Sequence, residues 1–176
     1  EALILFESGD YPATIAVLEA TCTDPCLDPN QAALLLTARL LNTGDAGFGQ
    51  SLVEIVQGQE SLRPQVSAWL SAGVERLITT GSIDRAQTAA RMATRIAAED
   101  EAGWLRLVRA CEASQDLDAA LNACHEGLTK GATIDDLARK FDEIHKRLNR
   151  EADLPGAWRQ VVEKMPGNEV ALMHLA

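Results

Sequence analysis

A two-residue turn recurs along this chain at nearly constant intervals, and that recurrence constrains the fold more than any other feature. It reads Gly9-Asp10, Gly44-Asp45, Gly81-Ser82, Gln115-Asp116 and Ala152-Asp153, at spacings of 35, 37, 34 and 37 residues. Self-similarity at such a period marks an array in which one supersecondary unit stacks on copies of itself. Each turn lies between segments whose apolar residues recur at helical spacing. Leu34, Leu35, Ala38 and Leu41 trace one stripe; Leu70, Val74, Leu77 and Ile78 the next; Trp104, Leu107, Val108 and Cys111 a third. The unit is a helix–turn–helix, repeated about five times.

Local signals agree with that period. Pro12, Pro64 and Pro155 fall in first turns, where a missing N–H leaves no bond unmade. Ser82 reads as an N-cap, and Thr133 with Asp136 as a capping box. Asp28-Pro29-Asn30 and Met165-Pro166-Gly167-Asn168 read as breakers at the ends of second helices. The 28 Ala and 23 Leu, against 4% aromatic residues, favour helix over strand. With 47% apolar residues a sizeable core is possible, while no apolar run reaches the about 18 residues of a spanning helix. The same composition excludes collagenous, disulfide-dense and disordered classes.

Aligned on their turns, the units share more than a stripe. The fourth reads Trp104-x2-Leu107-Val108-x2-Cys111, then Ala120-x3-Cys124. The third reads Leu70-x2-Gly73-Val74-x2-Leu77, then Ala86-x3-Ala90, and the fifth Phe141-x2-Ile144-His145-x2-Leu148, then Ala157-x3-Val161. The second reads Ala33-x2-Leu36-Thr37-x2-Leu40, then Gly49-x3-Val53; the first keeps Gly9-Asp10-Tyr11. These positions resemble the tetratricopeptide repeat, W-x2-L-G-x2-Y, then A-x3-F, then P, in about 34 residues. His145 and Thr37 depart from it, standing where the pattern has a small apolar residue.

The resemblance implies an all-α fold, a right-handed α–α superhelix (a TPR-like solenoid) of about five helix–turn–helix repeats. They would occupy residues 1–28, 29–61, 62–99, 100–132 and 133–167, with a sixth starting at 168–176. Sel1-like arrays are the alternative of the same class. A chain that opens inside a helix at Glu1 and stops inside a pattern at Ala176 is expected to be a piece of a longer protein.

In the resembled family, first helices line a concave groove. The resemblance places Leu3, Phe6, Leu34, Ala38 and Leu41 at its N-terminal end, Glu75, Ile78, Arg109 and Glu112 along its middle, and Arg139, Asp142, Lys146, Asn149 and Arg150 at its C-terminal end. Such a groove grades from apolar to charged and partly basic, which suits an amphipathic helix or an extended peptide with an apolar head and acidic tail. The expected partner is a protein or peptide, the remainder of the same chain, or a second copy. The Lys and Asn residues of a chaperone-tail clamp are not at the matching positions, which hold Leu34, Ala38, Ser71 and Glu75. The basic run Arg139, Lys140, Lys146, Arg147 and Arg150 also has a plainer reading, a solvated face paired with Asp142 and Glu143.

Chemistry-bearing patterns are scarce. His125, His145 and His174 are isolated, and no H-E-x-x-H or C-x-x-C occurs, so neither metal, cofactor nor catalytic residues are expected. The glycine-rich Gly44-Asp-Ala-Gly47-Phe-Gly49 lacks the preceding strand and the Gly-Lys-Ser/Thr ending of a phosphate loop. Net charge is −10, and residues 1–60 hold nine acids against Arg39 alone, so nucleic acid is not an expected partner. Cys111 and Cys124 read as small core residues, and Cys22 with Cys26 as a local disulfide only in an oxidising compartment. The cytoplasm is the first expectation and the periplasm the alternative. The function expected is a non-catalytic interaction scaffold or adaptor. Its alternatives are the recognition or regulatory arm of a larger enzyme, such as a bacterial glycosyltransferase or sulfotransferase, and a self-assembly module.

Overall fold

The computed structural model describes residues 1–21, 28–132 and 135–175. Among these, eleven α-helices and two 3-10 turns account for the regular structure, and no strand occurs. The helices are α1 (Ala2–Ser8), α2 (Tyr11–Thr21), α3 (Pro29–Thr43), α4 (Ala46–Gly58), α5 (Arg63–Thr79) and α6 (Ile83–Ile96), then α7 (Glu101–Ala113), α8 (Leu117–Thr129), α9 (Asp135–Arg147), α10 (Leu154–Lys164) and α11 (Glu169–Leu175). The 3-10 turns, Glu60–Leu62 and Glu151–Asp153, lead into α5 and α10. No described helix is long and apolar enough to cross a membrane.

The residues form two compact units, Glu1–Ala97 and Ala98–Ala176. In the first, α1 pairs with α2, α3 with α4 and α5 with α6; α2 also packs on α3, α3 on α5 and α4 on α6. α3 thus meets α5, first helix on first, and α4 meets α6, second on second, while α3 also packs on the second helices α2 and α6. The filling is aliphatic, with Leu40, Leu41, Leu52, Val66, Leu70 and Val74 all fully buried. In the second unit, α7 pairs with α8 and α10 with α11, α8 packs on α9 and α10, and α9 packs on α7 and α11. Here the largest buried side chains are Trp104, Trp158 and Phe141. Gly127 lets α8 come close: a Cβ there would sit 2.8 Å from Trp104 Cγ and 2.9 Å from Leu137 Cδ2.

The recurring turn has a two-part mechanism. Its first residue takes a left-handed backbone, with φ of 88° at Gly9, 75° at Gly44, 76° at Gly81 and 62° at Gln115, which stops the helix before it. Its second residue starts the next helix: Asp10, Asp45 and Asp116 accept the N–H of Ala13, Gly47 and Ala119 at 3.0, 2.8 and 2.9 Å. Ser82 holds the same place, but its hydroxyl oxygen accepts from Arg85 Nη2 at 2.6 Å instead of from the backbone.

The fifth turn corrects the sequence reading. It is Asn149-Arg150, not Ala152-Asp153: Asn149 has φ 55°, and Arg150 N–H donates to His145 O at 2.8 Å. Asn tolerates the left-handed region where Ala does not, so the turn falls 34 residues after Gln115. Residues 151–153 become the 3-10 lead into α10.

Pro12, Pro64 and Pro155 each occupy the second position of a helix, and Pro29 opens α3, so Asp28-Pro29-Asn30 starts a helix as well as separating two. Asn168, read as part of a breaker, is a buried hub. Its Oδ1 accepts from Ala171 N–H at 3.1 Å, and its Nδ2 donates to Leu128 O at 3.1 Å and Ala132 O at 3.2 Å. One amide thereby caps α11 and ties it to the end of α8. Thr133 of the expected capping box, and Cys22 with Cys26, lie outside the described residues.

Candidate functional site

The sequence directs attention to α9, and its residues sort by angle at roughly 100° per residue. Phe141, Ile144 and His145 point inward and are buried. Lys140 and Arg147 fall on one flank, against α7; Asp142 falls on the other, against α10 and α11. Arg139, Glu143 and Lys146 stand on the outer face and are exposed.

The α7 flank is an ion-pair clamp. Glu112, with 16% of its side chain accessible, receives Lys140 Nζ at 3.1 Å and Arg147 Nη1 at 2.6 Å. Burial alone would lower the Lys140 ammonium; hydrogen bonds to Glu112 and Glu143 outweigh it and hold that pKa above its ordinary value. The other flank is a stack. Asp142 accepts from Trp158 Nε1 at 2.9 Å and meets His174 Nδ1 at 3.0 Å, while the His174 and Trp158 rings lie 4.5 Å apart and 22° from parallel. Glu112 and Asp142, both expected to face a partner, are spent on neighbouring helices.

Of the other C-terminal candidates, Arg150 pairs with Asp118 at 2.8 Å and Arg139 with Asp136, one turn away. Asn149 is exposed, and its backbone ends α9. Lys146 is exposed and has no ion-pair partner among the described residues. Arg109, on α7, is also exposed.

The N-terminal candidates require a correction. Phe6, Leu34, Ala38 and Leu41 are buried, so they offer no face to a partner. Phe6 packs its ring against Tyr11 and Trp69, at 5.4 and 5.8 Å between centroids. Leu41 fills the space that the missing side chain of Gly73 leaves on α5. Where α3 lies against α2, α4, α5 and α6, its leucines are interhelical filling. Leu3 is exposed, next to Ile4, while Glu75 and Ile78 are half-buried. Sequence reasoning missed Arg76, whose guanidinium donates to Glu7 O at 2.7 Å and Tyr11 Oη at 3.2 Å and so fastens α5 to the first hairpin. No spacing rule marks such a long-range contact.

The two departures from the repeat pattern share one solution. Thr37 Oγ1 donates to Ala33 O at 2.7 Å, and His145 Nδ1–H to Phe141 O at 2.8 Å, each satisfying a buried polar group within its own helix. The Cys124 thiol is pushed far above its usual range by burial and then by Glu112, which keeps it protonated. No group of three His, Cys, Asp or Glu side chains among the described residues is placed to hold a metal ion. No protein-family model matches the chain, and no curated protein matches it.

Proposed function

We propose that this chain is a protein-interaction array of the tetratricopeptide-repeat kind, and that its second unit binds an acidic peptide segment along the outward faces of α7 and α9. The supporting observation is the charge arrangement. α7 and α9 lie side by side, and Glu112 between them is met by two bases. On the solvent side stand Lys146, with no ion-pair partner among the described residues, Arg109, and Arg139 paired with Asp136, against the exposed acid Glu143 of the outer face of α9. A carboxylate-rich segment would complement that surface and gain charge-assisted bonds. Burial of Leu34, Ala38 and Leu41 removes the apolar seat, which narrows the ligand from an amphipathic to an acidic one.

The test uses a fluorescein-labelled oligoglutamate peptide, with an oligoglutamine control, in anisotropy titrations. The glutamate peptide is expected to bind and to weaken as salt rises from about 0.05 to about 0.5 M, where screening shortens from roughly 14 to 4 Å. Lys146→Glu with Arg139→Glu is expected to weaken it at least about tenfold, equivalent to about 1.4 kcal/mol. Equal binding of the two peptides, or an unchanged affinity of the double variant, removes this reading.

A further inference from the structure

Away from that outer face, a cleft of about 200 Å³ opens between α8, α9 and α10, lined by Leu121, Asn122, His125, Phe141, His145, Ala157 and Gln160. Its volume falls below the roughly 300–1,000 Å³ of sites that take whole cofactors, so it has room for about one ring. Its walls are of two kinds. Phe141, Leu121 and Ala157 are apolar, and the Phe141 ring stands edge-on to His145 at 4.5 Å and 6.2 Å from His125. The remainder are two imidazoles and two carboxamides, with no formally charged side chain among the lining residues.

The histidines carry the inference. A carbonyl oxygen only accepts, so the bond to Phe141 O places the His145 proton on Nδ1. In the neutral ring Nε2 then bears a lone pair, and it is the one polar atom of that side chain left for the cleft. His125 Nε2 has no hydrogen-bond partner but is sealed from water, so the contact to a donor in the cleft falls to His145 Nε2. Burial, with Lys164 and His145 nearby, lowers the His125 pKa against the weaker opposing effect of Glu126, which favours a neutral ring. His145 Nε2, beside apolar walls, is a place for a ligand group that can hydrogen-bond.

We propose that this cleft binds a single neutral aromatic ring bearing a hydrogen-bond donor, of the phenol or indole class, with the ring on Phe141 and the donor on His145 Nε2. An anion finds no cation among the lining residues, and a metal ion would have two imidazoles and no third ligating side chain. This site is independent of the acidic-peptide surface, so either proposal can fail without the other.

The experiment follows the histidine ring resonances by NMR at pH 7.5, with no peptide present, during titrations with p-cresol, toluene and Zn²⁺. The expected result is saturable shifts of the His125 and His145 signals with p-cresol, at an affinity at least tenfold above that for toluene. Ala157→Leu, which fills the cleft from α10, should abolish the shifts while circular dichroism stays unchanged. If that variant unfolds, the cresol–toluene ratio in the native protein still decides. Equal affinity for the two rings would mean an apolar crevice only, and shifts with Zn²⁺ but not with p-cresol would mean a metal site; both overturn the proposal, as does p-cresol without saturation.

Discussion

Both units are built of packed helix pairs, and they are held together differently. In the first, α3 buries seven of its fifteen residues, Leu34, Leu35, Ala38, Leu40 and Leu41 among them, and Gly49 and Gly73 admit Met92 and Leu41 from facing helices. Its cohesion is chiefly shape and area, at about 25 cal/mol per Å² of apolar surface removed from water, with guanidinium bonds from Arg39, Arg76 and Arg85 across its helices. In the second, α9 carries a charged outer face, and its flanks are fastened by polar bonds. Glu112 grips two bases on one side, and Asp142 grips an indole and an imidazole on the other. A leucine-rich first helix uses its surface on its neighbours, whereas a charged one keeps an outward face for something else. Position within a repeat therefore does not fix accessibility; the composition of the helix does.

The comparison breaks most easily at its apolar end. Leu41→Ala removes a fully buried side chain that fills the gap beside Gly73, and is expected to cost about 2–5 kcal/mol through lost transfer energy and the cavity left behind. Denaturant unfolding should show the loss at low and high salt alike; a loss that halves in high salt would contradict an apolar contact at Leu41. Next comes the polar fastening of the second unit. Asn168→Ala leaves Leu128 O and Ala132 O without their amide donor and takes the cap from α11, at about 1–3 kcal/mol. Hydrogen exchange should register this first at the start of α11, and unchanged protection there would mean that water replaces the amide without cost.

These two residues also show what was legible beforehand. Leu41 lies on a stripe of period 3.6, and such a stripe says that a face is buried without saying by what. The repeat resemblance supplied a partner groove as the answer, and the structure supplies α5. Asn168 stood in a Pro-Gly-Asn run whose local chemistry reads as a break; its partners are 36 and 40 residues away, beyond any local rule. The turns were readable because a left-handed residue followed by a carboxylate is a local code, and the misplacement at Ala152 arose where Asn149 carries the same conformation without glycine. On α9 the charges were visible, but their pairing was not, because Lys140 and Arg147 meet Glu112 across 28 and 35 residues.

A smaller effect sharpens the ionic side. Glu112→Gln keeps the shape of the clamp and removes its charge, with an expected cost of about 1 kcal/mol that fades as salt rises. The same change leaves Arg147 in want of an anion and Lys140 with Glu143 alone, so it should also tighten the oligoglutamate peptide severalfold. A variant that loses stability but binds the peptide no better would place Lys140 and Arg147 out of reach of the outer face.

The smallest effect is read in pH. His125 lies in the second unit, and its lowered pKa, due first to burial and then to Lys164, means that the unfolded chain takes up the proton before the folded one does. As the pH falls through about 6.5, the usual histidine value, the unfolded state gains protons that the native ring does not. Stability contributed by the neutral ring is therefore present above that pH and declines below it, until the folded form protonates too. Thermal unfolding between pH 7.5 and 5 should show this decline, and His125→Gln should make it shallower by removing one titrating group while keeping a polar side chain. Leu41→Ala, in the other unit, should shift the whole curve down without changing its slope. Identical slopes for native protein and His125→Gln would show that the ring is solvated in the folded state, and that the acid sensitivity of the second unit arises from its carboxylates.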